Sequence, residues 1–343
     1  MVAIGVDTHK ANLAACAIDE AGRVVAERSF ANSPAGHRVF GRWLRTLPLP
    51  RRTGVEGSGS FGAGLSQYLL AAGEEVREVP AILTHRERRR TGRPGKSDPA
   101  DALAIARVVL REENLPLVRG PHDYRDLKLL VDYREQLICE QTRVRNRLHS
   151  EMQVLMPGFG VGLGDVRRAS GVSAVRRLLA PHRGVAVELI EARLVRLEAL
   201  AAEITANRLR IEGLLAGEHV ALIAICGVGA LTAARLLGET GDARRFRSAA
   251  AFAMACGVAP IPASSGKIQR VRLNRRGNRQ LNRALFMVAF TQMREYALAQ
   301  EYMERKRLEG KTWKEAMRCL KRHLADVVYR AMLEDCRRES LTT

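Results

Sequence analysis

The stretch VAIGVDTHKANLAACAIDEAGRVVAERSF, residues 2–30, decides the fold. Val2 to Val6 is a compact apolar run of strand length, and Leu13 to Ile18 and Val24 to Phe30 are two more. Asp19-Glu20-Ala21-Gly22, between the second and third runs, has the residues of a hairpin turn. Ser33-Pro34 then offers a capping hydroxyl and a proline at the first helical position, ahead of the stripe Val39, Phe40, Trp43, Leu44. Thr53 to Glu56 reads as a fourth strand, Leu65 to Ala72 as a helix and Val76 to Val79 as a last strand.

Three adjacent strands followed by alternating helix and strand is the order of a ribonuclease-H-like α/β domain, expected over residues 1–115. Beyond it, helical periodicity replaces strand runs over 116–215, with a Gly/Pro-rich interruption at Pro157 to Gly164. Ile190, Leu194, Leu197, Ala201, Ile204, Arg208, Ile211 and Leu215 follow 4,3 spacing, a heptad seam with one charged position, and Val144, Leu148, Met152 and Leu155 repeat it on the first arm. Either an antiparallel hairpin or coiled-coil arm, or ordinary bundle helices, accounts for that pattern. Residues 216–343 are expected to form a third, mainly helical domain. The fold class is therefore α/β plus all-α.

The chain has 343 residues and a formal charge of +19, with 56 Lys and Arg against 37 Asp and Glu. Such an excess points to a polyanionic partner. Between Ala243 and Arg294 there is no acid at all, while eleven basic residues occur. Solvated helix faces ordinarily mix their signs, so this tract reads as a surface for phosphate, with Lys267, Arg270, Arg272, Arg275, Arg276, Arg279 and Arg283 as candidate contacts. No apolar run approaches the roughly 18 to 20 residues of a membrane span, and the amino terminus lacks a secretory pattern, so a cytoplasmic protein is expected. The six cysteines form no CxxC pair, which argues against a zinc module.

Four carboxylates carry the chemistry. Asp7 ends the first strand and Glu56 the fourth, and these strands are neighbours in a ribonuclease-H-like sheet. Asp98 and Asp101, in Lys96-Ser97-Asp98-Pro99-Ala100-Asp101-Ala102, stand one turn apart at a helix start. Oxygen-only ligands grouped in this way suit Mg²⁺ or Mn²⁺, and two such ions can clamp the attacking and leaving oxygens of a phosphoryl transfer. Singly, Asp98 is equally a helix cap and Asp101 a first-turn charge. His9 is read as structural, facing away from Asp7 if the strand continues, and Trp43 and Trp313, in helical stripes, are read as core.

The motifs GVDTHK, GVEGSGS and KSDPADA, in this order, resemble the DEDD-type insertion-sequence transposases with a RuvC-like domain, and the resemblance extends over nearly the whole chain. It implies metal-binding catalytic roles for Asp7, Glu56, Asp98 and Asp101, a coiled-coil region, and a carboxy-terminal transposase domain. Ile225-Cys226-Gly227-Val228-Gly229-Ala230-Leu231-Thr232-Ala233 resembles a helix-hairpin-helix turn, although a Gly-rich turn between packed helices reads the same way. The Ser-Gly pair after Gly257-Val258-Ala259-Pro260 resembles the family's nucleophilic serine, which spacing places at Ser265, with Ser264 as the alternative. The resemblance further implies a structured noncoding guide (bridge) RNA, donor and target DNA as partners, and a homo-oligomer, dimer or tetramer. Competing readings are a RuvC-like metal nuclease or junction resolvase without a covalent serine intermediate, an actin-like sugar kinase, and a non-catalytic nucleic-acid-binding protein.

Overall fold

The computed structural model describes residues 1–91, 98–118, 123–158, 166–217, 219–262, 271–272, 274 and 277–342. They fall into two compact units, Met1–His122 with Arg244–Arg247, and Asp123–Ala243 with Ser248–Thr343.

The first unit runs β1 (Val2–Thr8), β2 (Asn12–Ile18), β3 (Val24–Ala31), α1 (Pro34–Arg45), β4 (Arg51–Val55), α2 (Ala63–Ala71), β5 (Val76–Glu78), α3 (Ala81–Thr91) and α4 (Asp98–Arg111). The five strands form one sheet in the order β3-β2-β1-β4-β5. β1, β2 and β3 pair antiparallel, while β4 pairs parallel with β1 and with β5. This is the ribonuclease-H-like topology. The short connections behave as their residues dictate: Gly22, at φ +77°, closes the β2–β3 turn, and the Ser33 hydroxyl accepts from the Gly36 N–H to cap α1.

Both faces of β1 and β2 are covered, which explains why these two strands read as near-continuous apolar runs, whereas the edge strand β3 is largely exposed. Val2, Ile4 and Val6 of β1 face Phe40, Trp43 and Leu44 of α1 and Leu65 and Leu69 of α2. Phe30, Phe40 and Trp43 pack edge-to-face or tilted there, at centroid separations of 5.0 to 5.5 Å. The opposite face is built of small residues, with Ala3 of β1 and Ala14 and Cys16 of β2 against Ala102, Ile105, Ala106 and Val109 of α4. Gly5 and Gly54 are register partners on that face. A Cβ on Gly5 would stand 2.2 Å from the Ala106 nitrogen and 2.3 Å from the Ala102 oxygen, and one on Gly54 would stand 2.2 Å from Val109 Cγ2. The paired glycines let α4 lie directly on the sheet.

The second unit is helical: α5 (Asp123–Leu155), α6 (Ala169–Leu179), α7 (Val185–Leu215), α8 (Val220–Ile223), α9 (Ala230–Thr240), α10 (Ala249–Ala255), the two-residue strands β6 (Ile261–Pro262) and β7 (Val271–Arg272), α11 (Arg279–Glu295), α12 (Ala297–Leu308) and α13 (Trp313–Thr342). A 3-10 turn spans Ala243–Arg245. α5 and α7 run antiparallel, since Asn207 Nδ2 donates to the Leu130 carbonyl at 3.0 Å, Tyr133 to Glu203 at 2.9 Å, and Arg196 to Glu140 at 2.8 Å. The heptad seam is buried at Ile190, Leu194, Leu197, Ile211 and Leu215. Leu200 and Asn207 are buried, whereas Arg208 is exposed beside Glu212. An α-helix of 3.6 residues per turn slips against a strict 3.5 repeat, so between Leu197 and Ile211 the buried positions fall one residue early, before the seam resumes at Ile211 and Leu215.

The glycine turn at 227–229 joins α8 to α9. Gly227, at φ +86°, lies against the Val288 carbonyl of α11, and both Asp335 carboxylate oxygens accept from the Ala221 and Leu222 N–H groups at the start of α8. All six cysteines are free thiols. No helix among the described residues is long and apolar enough to cross a membrane.

Candidate active site

Side chains alternate along a strand, so Asp7 shares the face of Ala3 and Gly5, and Glu56 shares that of Gly54. Both therefore project on the side that α4 covers. Glu56 continues the β4 ladder, its N–H donating to the Val6 carbonyl at 3.1 Å, while the Thr8 hydroxyl donates to the Glu56 carbonyl at 2.8 Å. Immediately after it, Gly57 turns the chain at φ +74°. The first turn of α4 brings Asp98 and Asp101 to the same end, where anionic side chains also suit the helix dipole.

The four acids expected from the sequence are thus neighbours. The Asp98 side chain is 43% exposed, while that of Asp101 is 8% exposed and accepts from Arg88 of α3 at 2.5 Å. Burial holds the Asp7 carboxyl above its usual range, the negative charges of Asp101 and Asp98 add to the shift, and His9 opposes it. Glu56 is raised in the same way, by burial first, with Asp7 and Asp101 adding to it and the Thr84 side chain and Arg88 pulling it down. A carboxyl whose pKa is raised by folding opposes folding increasingly as pH climbs past its unfolded-state value, and fully above the raised one. The cluster therefore carries negative charge that a cation would neutralise.

His9 departs from expectation. Its Nε2 lies 3.1 Å from Asp7 Oδ2 and 3.2 Å from Asp98 Oδ1. It stands two positions after Asp7, so the two share a face rather than opposing one another. One atom from each of Asp7, His9 and Asp98 falls within 4.8 Å of the others, a grouping able to hold a metal ion. Hard carboxylate oxygens dominate the set, as Mg²⁺ or Mn²⁺ requires, with one imidazole that Mn²⁺ tolerates. The residues present fit such an ion. Asn32 supports the loop, its amide donating to the His9 carbonyl at 2.8 Å and the Phe61 carbonyl at 2.9 Å, while its Oδ1 bonds the His37 ring. Arg88 and Asn32 carried no sequence signal, because their partners are set by α3 and by a loop crossing.

In the second unit, the turn Gly257-Val258-Ala259-Pro260 is clamped by asparagines. Asn274 donates to the Met254 carbonyl at 2.8 Å, and Asn282 donates to those of Cys256 and Gly257 at 3.0 and 3.2 Å. Gly277 touches Gly257 so closely that a Cβ on it would stand 2.2 Å from the Gly257 Cα. Ile261 pairs with Arg272, and Pro262 with Val271. Ser264, Ser265, Lys267, Arg270, Arg275 and Arg276 lie outside the described residues. Arg272 and Arg279 are exposed, and Arg283 is paired with Glu135 of α5 at 2.6 Å. Trp43 is core as expected, but Trp313 is 42% exposed at the start of α13.

Residues 4–157 match a family described as transposase, and residues 220–304 match the transposase IS116/IS110/IS902 family. The chain is 26% identical over 382 residues to an insertion element IS116 protein of Streptomyces clavuligerus, covering 97% of this chain and 95% of that one. It is 26% identical to an IS110 protein of Streptomyces coelicolor, at 97% and 94% coverage. A pilin gene-inverting protein of Moraxella bovis is 24% identical, at 95% and 94% coverage. Among solved structures, a RuvC of Thermus thermophilus in complex with a Holliday junction substrate aligns with 34% of this chain and 99% of its own, at 19% identity and a TM-score of 0.28. The two transposase matches take in both the acid cluster and the glycine-clamped turn, and the chain belongs to the IS116/IS110/IS902 family of transposases.

Proposed function

We propose that the protein cuts and rejoins DNA as the transposase of an insertion sequence, with Asp7, Glu56, Asp98 and Asp101 as its metal-binding acids and Ser265 as its nucleophile. The observation that carries this reading is the convergence of the four acids at the ends of β1 and β4 and the first turn of α4. A bound Mg²⁺ or Mn²⁺ supplies neutralisation of the charge that develops on phosphoryl oxygens. Asp7 and Asp98 would hold such an ion, with His9 Nε2 3.1 and 3.2 Å from their carboxylate oxygens, and Arg88 fixes the orientation of Asp101.

The serine step follows from hydroxyl chemistry. The Ser265 oxygen attacks phosphorus, its proton leaves to a base, and the displaced DNA oxygen departs as a hydroxyl once protonated. The phosphoserine ester retains the bond energy, so a second DNA hydroxyl reverses the step and joins the new strand. The family resemblance supports a guide RNA and separate donor and target DNA, and the acid-free basic tract suits either polyanion. The family resemblance and the need to hold two DNA partners support a homo-oligomer, a dimer or tetramer.

The test is to express the gene within its native flanking DNA, purify the protein, and sequence the nucleic acid that accompanies it. Incubation with cleavable DNA followed by denaturation should leave a DNA strand attached to the peptide containing Ser264 and Ser265. Ser265→Ala should abolish the adduct, and Asp98→Ala should abolish cleavage while DNA binding persists. Hydrolysed ends without attached protein, together with an active Ser265→Ala protein, would replace this mechanism by that of a metal nuclease.

A further inference from the structure

A cavity of about 990 Å³ opens in the second unit between the Gly257–Pro260 turn, α11, α12 and the start of α13. Among the described residues, seven basic side chains line it against two carboxylates. Both acids are already engaged. Glu309 is bonded by Lys306 at 2.8 Å, and Glu315 forms a capping box with Thr312, accepting from its N–H at 2.9 Å and its hydroxyl at 2.7 Å.

The Lys321 ammonium is different. It donates to Asn282 Oδ1 at 2.8 Å and lies 5.9 Å from the Phe286 ring centroid. Burial and the positive charge of Arg318 lower its pKa, with no carboxylate among the described residues offsetting them. A half-buried cation beside a second cation is costly without an anion. Trp313 presents an indole to the same cavity, with 42% of the residue exposed. The same Asn282 that receives Lys321 also donates to the Cys256 and Gly257 carbonyls, so an anion on Lys321 would be held in register with the turn.

We propose that this cavity binds one unstacked nucleotide of a nucleic-acid strand, its phosphate on Lys321 and Arg318 and its base on Trp313. Phosphate alone would satisfy the cations, but the exposed indole in the same cavity adds a platform that stacks bases of any sequence. The proposal rests on the nucleic-acid reading above and gives it a place in the second unit.

The chain has two tryptophans, and Trp43 is buried in the first unit, so quenching of Trp emission by a ligand reports on Trp313. The full-length protein is titrated with a labelled single-stranded deoxythymidine decamer, reading label anisotropy and Trp emission together. Oligouridine, a duplex of equal length and polyglutamate are the other arms. Quenching is expected with the single strands, weaker quenching with the duplex, and none with polyglutamate or in Trp313→Phe. Lys321→Met should weaken decamer binding about tenfold and lower the salt slope by about 1, with Lys321→Arg restoring most of the loss. Comparable responses to deoxythymidine and uridine support a site for either strand, and a preference assigns the source. Binding by anisotropy without quenching, or with Lys321→Met unchanged, overturns the cavity assignment and leaves the nucleic-acid reading standing. Quenching by polyglutamate equal to that by the decamer shows a mere polyanion site and overturns the assignment as well. Absence of binding in every nucleic-acid arm overturns both.

Discussion

Gly5→Ala probes the contact that places the candidate active site. The new methyl carbon would stand 2.2 Å from the Ala106 nitrogen, 2.3 Å from the Ala102 oxygen and 2.8 Å from the Ile105 carbonyl carbon, whereas ordinary contact begins at 3.4 Å. All three are helix backbone, so no side chain can rotate away. α4 must lift from β1 by about 1 Å, a shift whose core strain costs about 1–3 kcal/mol. Ala restricts the unfolded chain and returns about 0.4–1 kcal/mol of that, leaving a net loss of about 1–2 kcal/mol. Asp98 and Asp101 ride on the first turn of the lifted helix, and misplacement by about 1 Å at a reacting centre lowers rate on the order of 100-fold. Thermal unfolding, Mn²⁺ titration calorimetry and counting of recombination junctions in cells carrying the gene with its native flanks measure the three consequences. Gly213→Ala adds the same methyl to α7 with no atom within 4 Å, and is expected to leave all three unchanged or raise stability slightly. If Gly5→Ala keeps wild-type Mn²⁺ affinity and junction yield, close seating of α4 is not what sets the spacing of the acids.

Arg88→Met removes the cation beside buried Asp101 and is expected to cost about 2 kcal/mol, less than for a fully enclosed pair because Arg88 is a third exposed. Added Mg²⁺ should recover part of the loss in melting temperature, and a deficit indifferent to Mg²⁺ would place Asp101 outside the ion site. Thiol reactivity should follow burial: the Cys16 pKa is pushed up to about 11, chiefly by burial, and Cys256 is raised further by the same cause. Both stay neutral thiols until strongly alkaline pH, so iodoacetamide at pH 8 should modify exposed Cys139 and spare these two, as read by peptide mass mapping. Early labelling of Cys256 would contradict its burial beneath the clamped turn.

β1 and β2 were legible in the sequence because each is a short apolar run, and the turns around them because their chemistry is local, as at Asp19 to Gly22 and Ser33-Pro34. Asp7 and Glu56 were legible as carboxylates at strand ends, and Asp98 and Asp101 as a helix start, since both patterns depend only on neighbours in the chain. The long-range choices were not. That Gly5 faces Gly54 depends on β1 pairing with β4 across some fifty residues, and only that pairing shows why α4 can lie flat enough to join the four acids. The shared face of His9 and Asp7 follows from their two-residue spacing, but the approach of Asp98 to His9 depends on where α4 packs. Arg283, expected as a phosphate contact from its place in a basic tract, remains exposed and also pairs with Glu135, 148 residues away and invisible to local charge counting. Trp313 looked like core from its helical spacing, but burial depends on what packs against a helix, and at the first residue of α13 a cavity does. Local backbone chemistry and side-chain periodicity therefore determine the elements and the acids they carry. Which of those acids meet, and which cations and aromatic faces remain open to a nucleic acid, is decided by tertiary packing, because it turns on contacts between residues that the chain itself keeps far apart.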